Sequence, residues 1–259
     1  MQTVLFHDTV FGPIKSRRLG SSLGINLMPN DGKICSFDCL YCEAGFNSQG
    51  PGKSGLPSPE KVKNDLEKKL VELQETSQPL DVITFSGNGE PTLHPDFAQI
   101  IDDTVRLRDK YFPDVKISVL TNSTQLHRPE VTDTLRKVDN NILKLDSAID
   151  DTLRKLDRPA NPSFNSDKAI DGISAFGNKA IVQTMFTRGS FNGIEVDNTT
   201  PDEINALVEA YKKIKPGLIM IYSIDRKTPA RDLHKVSAEE LGHIADIITR
   251  NTGIPVSIA

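Results

Sequence analysis

The sequence predicts an α/β protein built on a parallel (β/α) barrel, partial rather than closed, with about six βα units. Three observations carry this. Short apolar, β-branched runs recur along the chain, stretches of helical periodicity lie between them, and the runs are near-continuous in apolar residues, as strands covered on both faces are. Residues 1–259 read as a single domain, with an N-terminal extension over 1–21 and a cysteine-bearing loop over 35–42.

In order, the predicted strands are "SLGINLM" (22–28), "DVITFSG" (81–87), "KISVLTN" (116–122), "NILKLDS" (141–147), "KAIVQTMF" (179–186), "GLIMIYSI" (217–224) and "IPVSIA" (254–259). Helices between them are marked by capping chemistry as well as by period. After the first strand, Val62, Leu66, Leu70 and Leu73 share one helical face, with Ser58 as N-cap and Pro59 at the first helical position. Thr200 with Glu203, and Ser237 with Glu240, have capping-box spacing before two later helices.

In such a barrel, reactive groups gather at the C-terminal ends of the strands. There the sequence places Gly87-Asn88-Gly89-Glu90, Thr121-Asn122, Asp146-Ser147, Gln183-Thr184 and Ser223 with Asp225-Arg226. Strand ends are polar wherever they meet turns and water. Five in succession at one mouth favour a site.

Composition narrows the function classes. Charged residues make up 25% of the chain and the formal net charge is −4, which disfavours a broad electrostatic grip on nucleic acid. No apolar run approaches the roughly 18 residues of a membrane span. The N-terminal "MQTVLFHDTVFGPIKSRRLG" does not read as a secretory signal, so the expected compartment is the cytoplasm.

All three cysteines fall within eight residues: Cys35, Cys39 and Cys42, spaced C-x3-C-x2-C. Structural zinc takes four ligands, commonly as two separated pairs, and no second pair exists; a histidine as fourth ligand is the alternative. An electron-transfer [4Fe–4S] cluster takes four cysteines. Three leave one iron open, as a catalytic metal site requires.

The spacing, with Tyr41 before the last cysteine, resembles the cluster loop of the radical S-adenosylmethionine (radical SAM) superfamily. "TFSGNGEPTLHP" (84–95) is similar to the glycine-rich segment that in the family meets the methionine end of the cofactor. The resemblance implies a [4Fe–4S] cluster on Cys35, Cys39 and Cys42, with S-adenosylmethionine (SAM) chelating the open iron. One electron from the reduced cluster would break the sulfonium C–S bond, giving methionine and a 5′-deoxyadenosyl radical that abstracts hydrogen from substrate. It further implies cofactor contacts at Gly87, Asn88, Gly89, Glu90, Asn122, Asp146, Ser147 and Gln183, and a low-potential electron donor such as flavodoxin or ferredoxin. Lys144 shares a strand face with Asp146 and pairs either with the cofactor's carboxylate or with that aspartate. Tyr41 packs near adenine or belongs to the core.

"FGPIKSRRLGSSLGINLMP" and "YSIDRKTPA" resemble small Fe–S oxidoreductases related to wyosine-type tRNA-modifying enzymes. Those enzymes hold a second cluster on additional cysteines, which this chain lacks, so the resemblance does not extend to their reaction. Arg17 and Arg18, and Asp225 and Arg226, are the substrate-side candidates; a solvated turn and a structural ion pair are the plainer alternatives. The loops 43–59 and 187–200 are long enough to cover a site. The substrate is unidentified: a small molecule, a peptide or a nucleoside. Competing functions are an activase of a glycyl-radical enzyme, a tRNA or nucleoside modification enzyme, and a non-catalytic Fe–S or zinc module.

Overall fold

A computed structural model describes residues 4–16 and 18–259. Seven strands lie parallel and side by side in chain order: β2 (Gly20–Ile25), β3 (Val82–Phe85), β4 (Lys116–Thr121), β5 (Asn140–Lys144), β6 (Ala180–Phe191), β8 (Leu218–Ser223) and β10 (Val256–Ile258). β1 (Val10–Ser16) runs antiparallel on the outer edge of β2. The strand path starts at β1 and ends at β10, so the sheet is an open, partial barrel. Six crossovers carry the helices α1 (Pro59–Glu75), α2 (Phe97–Tyr111), α3 (Pro129–Leu135), α4 (Asp150–Leu156) with α5 (Ser166–Ser174), α6 (Pro201–Ile214) and α7 (Ala238–Thr252).

The predicted local chemistry is in place. Ser58 Oγ accepts from Lys61 N at 3.2 Å, and Val62, Leu66, Leu70 and Leu73 are all buried. Each fully buried leucine contributes roughly 1.5–3 kcal/mol. Thr200 and Ser237 cap α6 and α7 by accepting from Glu203 N and Glu240 N. The two glutamates use their carboxylates elsewhere: Glu203 accepts from Ser147 Oγ at 2.7 Å, and Glu240 pairs with Arg188.

Residues 187–200 are not a loose cover. β6 continues to Phe191, turns through Asn192 and Gly193, both at positive φ, and returns as β7 (Ile194–Asp197). β9 (Asp232–Lys235) pairs with the same extension of β6. Val196 of β7 and Leu233 of β9 pack with Ala230, Leu40 and Leu156 in a second small core, which holds the cysteine loop at Leu40. Among the described residues no helix is long and apolar enough to cross a membrane.

Candidate functional site

The cysteine loop is tied to the mouth of the barrel by its neighbour Ile34. Ile34 N donates to Asn88 O at 3.2 Å and Glu90 N donates to Ile34 O at 3.0 Å, a parallel bridge centred on Gly89. Gly89 sits at φ +145°, where a Cβ would stand 1.8 Å from Ile34 O; a Cβ at Gly87 would stand 2.4 Å from Asn26 Oδ1. Both glycines are therefore needed for protein to approach protein. The expectation of cofactor contacts by the Asn88 and Glu90 side chains meets full hydrogen-bonding. Asn88 donates to Phe6 O and Pro29 O and accepts from Phe6 N, each at 2.8 Å. Glu90 is buried and accepts from Thr92 N, Thr92 Oγ1, Thr121 Oγ1 and Asn122 N. It pins the end of β4 to that of β3.

Asn122, held there, donates to Cys35 Sγ at 3.6 Å and to Ser36 Oγ at 2.9 Å. The loop's other side is held by residues at and just after the end of α4: Asp38 N donates to Asp157 O, Leu40 N to Leu156 O, and Ala160 N to Ser36 O. Cys39 is buried, and Cys35 and Cys42 are half-buried. Burial pushes the Cys35 thiol up to about 12, with Glu90 adding to the shift and Lys33 opposing it. Burial raises Cys39 as well, and Lys144 opposes. A metal bound by such thiols ionises them. Among the described residues no group of three His, Cys, Asp or Glu is placed to hold a metal ion. The fit to an iron–sulfur cluster rests on the donor set, three soft thiols on one loop, and not on a preformed single-ion cage.

Lys144 closes one side of this site. Its Nζ pairs with Asp146 and, at 2.8 Å, with Asp157, contacts the Tyr41 hydroxyl, and lies 4.6 Å from the centre of the Tyr41 ring. Tyr41 donates to Asp146, whose other oxygen accepts from Met185 N at 3.0 Å. Burial, opposed by Lys144, raises the Asp157 carboxyl to about 7. Lys33 lies on the other side, its side chain 1% exposed; Nζ donates to Gly45 O at 2.8 Å and stands 3.7 Å from Asp38. Burial works against its charge, but the groups of Cys42, Cys35, Cys39 and Asp38 win and raise its pKa. Sequence reasoning missed Lys33, Asp38 and Asp157.

Two other expected contacts divide. Ser147 is fully buried, and its hydroxyl bonds Glu203 of α6 and Ile149 O. Gln183 lies beside Lys144 in register, with a buried Nε2 that has no partner, an atom open to a ligand. Of the residues expected on the substrate side, Arg17 lies outside the described residues. Arg18, Asp225 and Arg226 come together with Tyr41, Cys42 and Tyr222 around a cavity of about 250 Å³.

A sequence model of the radical SAM superfamily matches residues 30–189. The chain belongs to the radical SAM superfamily. Members of this superfamily use a [4Fe–4S] cluster and SAM. This radical SAM chain is 31% identical over 226 residues to a UPF0026 protein of Synechocystis sp., covering 85% of this chain and 77% of that one. It is 28% identical over 249 residues to a Brachyspira hyodysenteriae protein named GTPase Obg, covering 96% of this chain and 35% of that one. It thus spans about a third of that relative's length. Among solved structures it resembles a radical SAM methyltransferase from Sphaerobacter thermophilus, with TM-score 0.66 and 14% identity over 92% of this chain and 65% of that one. It also resembles TYW1 with a lysine–pyruvate adduct bound, with TM-score 0.60 and 15% identity over 91% of this chain and 76% of that one. At these identities the structural likeness is one of fold.

Proposed function

We propose that this chain is a radical SAM enzyme in which Cys35, Cys39 and Cys42 hold a [4Fe–4S] cluster with one iron left for SAM. The observation that carries this is the docking of a three-cysteine loop at the mouth of an open parallel barrel, through the Ile34–Gly89 bridge, in a chain whose superfamily uses that cluster. When bound, cluster and SAM supply a one-electron cleavage of the sulfonium C5′–S bond, giving methionine and a 5′-deoxyadenosyl radical.

The chain's own residues bind and orient. Asn122 holds Cys35 through its amide, and Glu90 holds Asn122. Tyr41, Lys144 and Asp146 form one wall of the cofactor site, and Gln183 offers its free Nε2. The backbone of Gly87, Asn88 and Gly89 shapes the rim, while Ser147 supports it from behind through Glu203. Substrate enters the cavity lined by Arg18, Asp225 and Arg226 beside Cys42. The reductant is a low-potential carrier such as a flavodoxin or ferredoxin, and the working compartment is the cytoplasm.

The test is anaerobic reconstitution with iron and sulfide, reduction, addition of SAM and quantification of 5′-deoxyadenosine. Wild type forms it and Cys39→Ala does not; equal amounts from both, or none from a wild type carrying four irons, would count against the proposal.

A further inference from the structure

The cavity beside Cys42 holds two carboxylates and two guanidinium groups, and their pairing is uneven. Glu43 is ion-paired with Arg226 at 2.5 Å, and Asp225 with Lys235 at 3.0 Å. Arg18 has no carboxylate partner among the described residues. Its guanidinium lies 4.6 Å from the centre of the Tyr222 ring, and its Nη1 is buried with no hydrogen-bond partner. The acid that acts on Tyr222 from the barrel wall, Asp146, is closed on Lys144, which also pairs with Asp157 at 2.8 Å.

Arg18 is placed there by the chain. It sits in the turn joining β1 to β2, where Ser16 Oγ accepts from Arg18 N at 3.3 Å and from Leu19 N at 3.2 Å. The turn thereby sends a long cation into a cavity that Tyr41, Met185 and Tyr222 also wall, beside the ion-paired Glu43, Asp225 and Arg226. A buried guanidinium nitrogen without an acceptor costs free energy unless something supplies one. The Arg18 guanidinium hydrogen-bonds Tyr222, and its unpartnered Nη1 is left for a carboxylate or phosphate oxygen, the anions that a planar guanidinium suits.

The geometry points to Arg18 as the receptor for an anionic group on the substrate: a compact molecule bearing a carboxylate or a phosphate, with the anion on the Arg18 guanidinium and its body against Tyr222 and Met185. The cavity of about 250 Å³ admits a small metabolite or the reactive end of a larger one. This inference rests on the radical SAM reading for the identity of the occupant as a substrate. The anion site itself consists of protein groups alone.

Inorganic phosphate and acetate, titrated separately by calorimetry with and without SAM, test it and distinguish the two anion chemistries. Wild type binds one equivalent of at least one of them. Arg18→Gln weakens that binding about tenfold or more, the loss expected for a charge-assisted hydrogen bond, and Arg18→Lys weakens it less. Iron content and SAM affinity stay at the wild-type level in both variants, which also shows that they fold. Equal anion binding by wild type and Arg18→Gln, or none by wild type, would overturn the site. A parallel fall in SAM affinity in Arg18→Gln would overturn the substrate assignment, because the guanidinium would then serve the cofactor's own carboxylate. Iron and SAM are measured on wild type before any anion is added, so failure of the radical SAM reading is seen separately.

Discussion

Two lysines flank the cysteine loop, Lys33 buried and Lys144 half-buried, and they are compensated differently. Lys144 meets two carboxylates and a phenol, so the group Lys144, Asp146 and Asp157 carries a net negative charge when both acids are ionised. Lys33 meets a backbone carbonyl and one carboxylate, Asp38, which Arg158 shares at 3.1 Å; that group is net positive. Cys39 neighbours both groups, and Cys35 and Cys42 the second. The lesson is that burial of a lysine says little by itself. The charge left over after pairing is what a bound cluster would feel.

The largest effect is expected at Lys144. Lys144→Met strands two buried acids and should cost about 3–5 kcal/mol of unfolding free energy in urea titrations of the apo protein. A loss under about 1 kcal/mol would mean that the acids do not depend on this lysine. Next comes the anchor on the Lys33 side. Gly89→Ala puts a methyl against the Ile34 carbonyl and should cost about 3 kcal/mol by the same assay; wild-type stability would show that the loop is free of β3.

Lys33→Met should cost about 1–3 kcal/mol by leaving Gly45 O unpaired in the interior. It should also move the midpoint potential of the reconstituted cluster to more negative values, because a nearby cation favours the reduced, more negative state. Lys33→Arg should restore most of that shift. A potential unmoved by Lys33→Met would remove the electrostatic half of the comparison.

The smallest effect, about 1 kcal/mol, belongs to Asp157→Asn. It should raise the midpoint potential, opposite in sign to the lysine variant. Its pH dependence follows from linkage. The carboxyl is raised to about 7 in the folded protein, so between the ordinary aspartate range and pH 7 the native state binds the proton and the unfolded state does not. Stability contributed by this group is therefore lost as pH rises through that window, and Asp157→Asn should flatten the slope. An unchanged slope in urea titrations from pH 5 to 7.5 would contradict the assignment.

Much of this frame was legible in sequence because its signals are local. Seven parallel strands, the caps at Ser58, Thr200 and Ser237, and the cysteine spacing each sit within a few residues. The glycines at 87 and 89 were legible as positions of close approach, but the approaching group is Ile34 and Asn26, which only tertiary structure brings there. The hairpin β6–β7 carries an Asn-Gly turn, a strong short-range signal that the polar composition of 187–200 concealed. β1 contains a proline, and β7 and β9 are four residues each, so neither length nor period announced them. Asp157 was invisible for another reason: it ends a short helix, and only the bonds from Asp38 and Leu40 to residues 156–158 bring it to the cysteines. Ser147 has the right residue type at a strand end, yet Glu203 claims it from α6.

The measurement closest to the central claim is iron and labile-sulfide content of the anaerobically reconstituted protein, followed by EPR of the reduced sample before and after SAM. Four irons per chain, with a spectrum that changes on adding SAM and is lost in Cys39→Ala, is the predicted result. One tightly held zinc and no iron, or four irons whose spectrum ignores SAM, would contradict a three-cysteine cluster with an open iron.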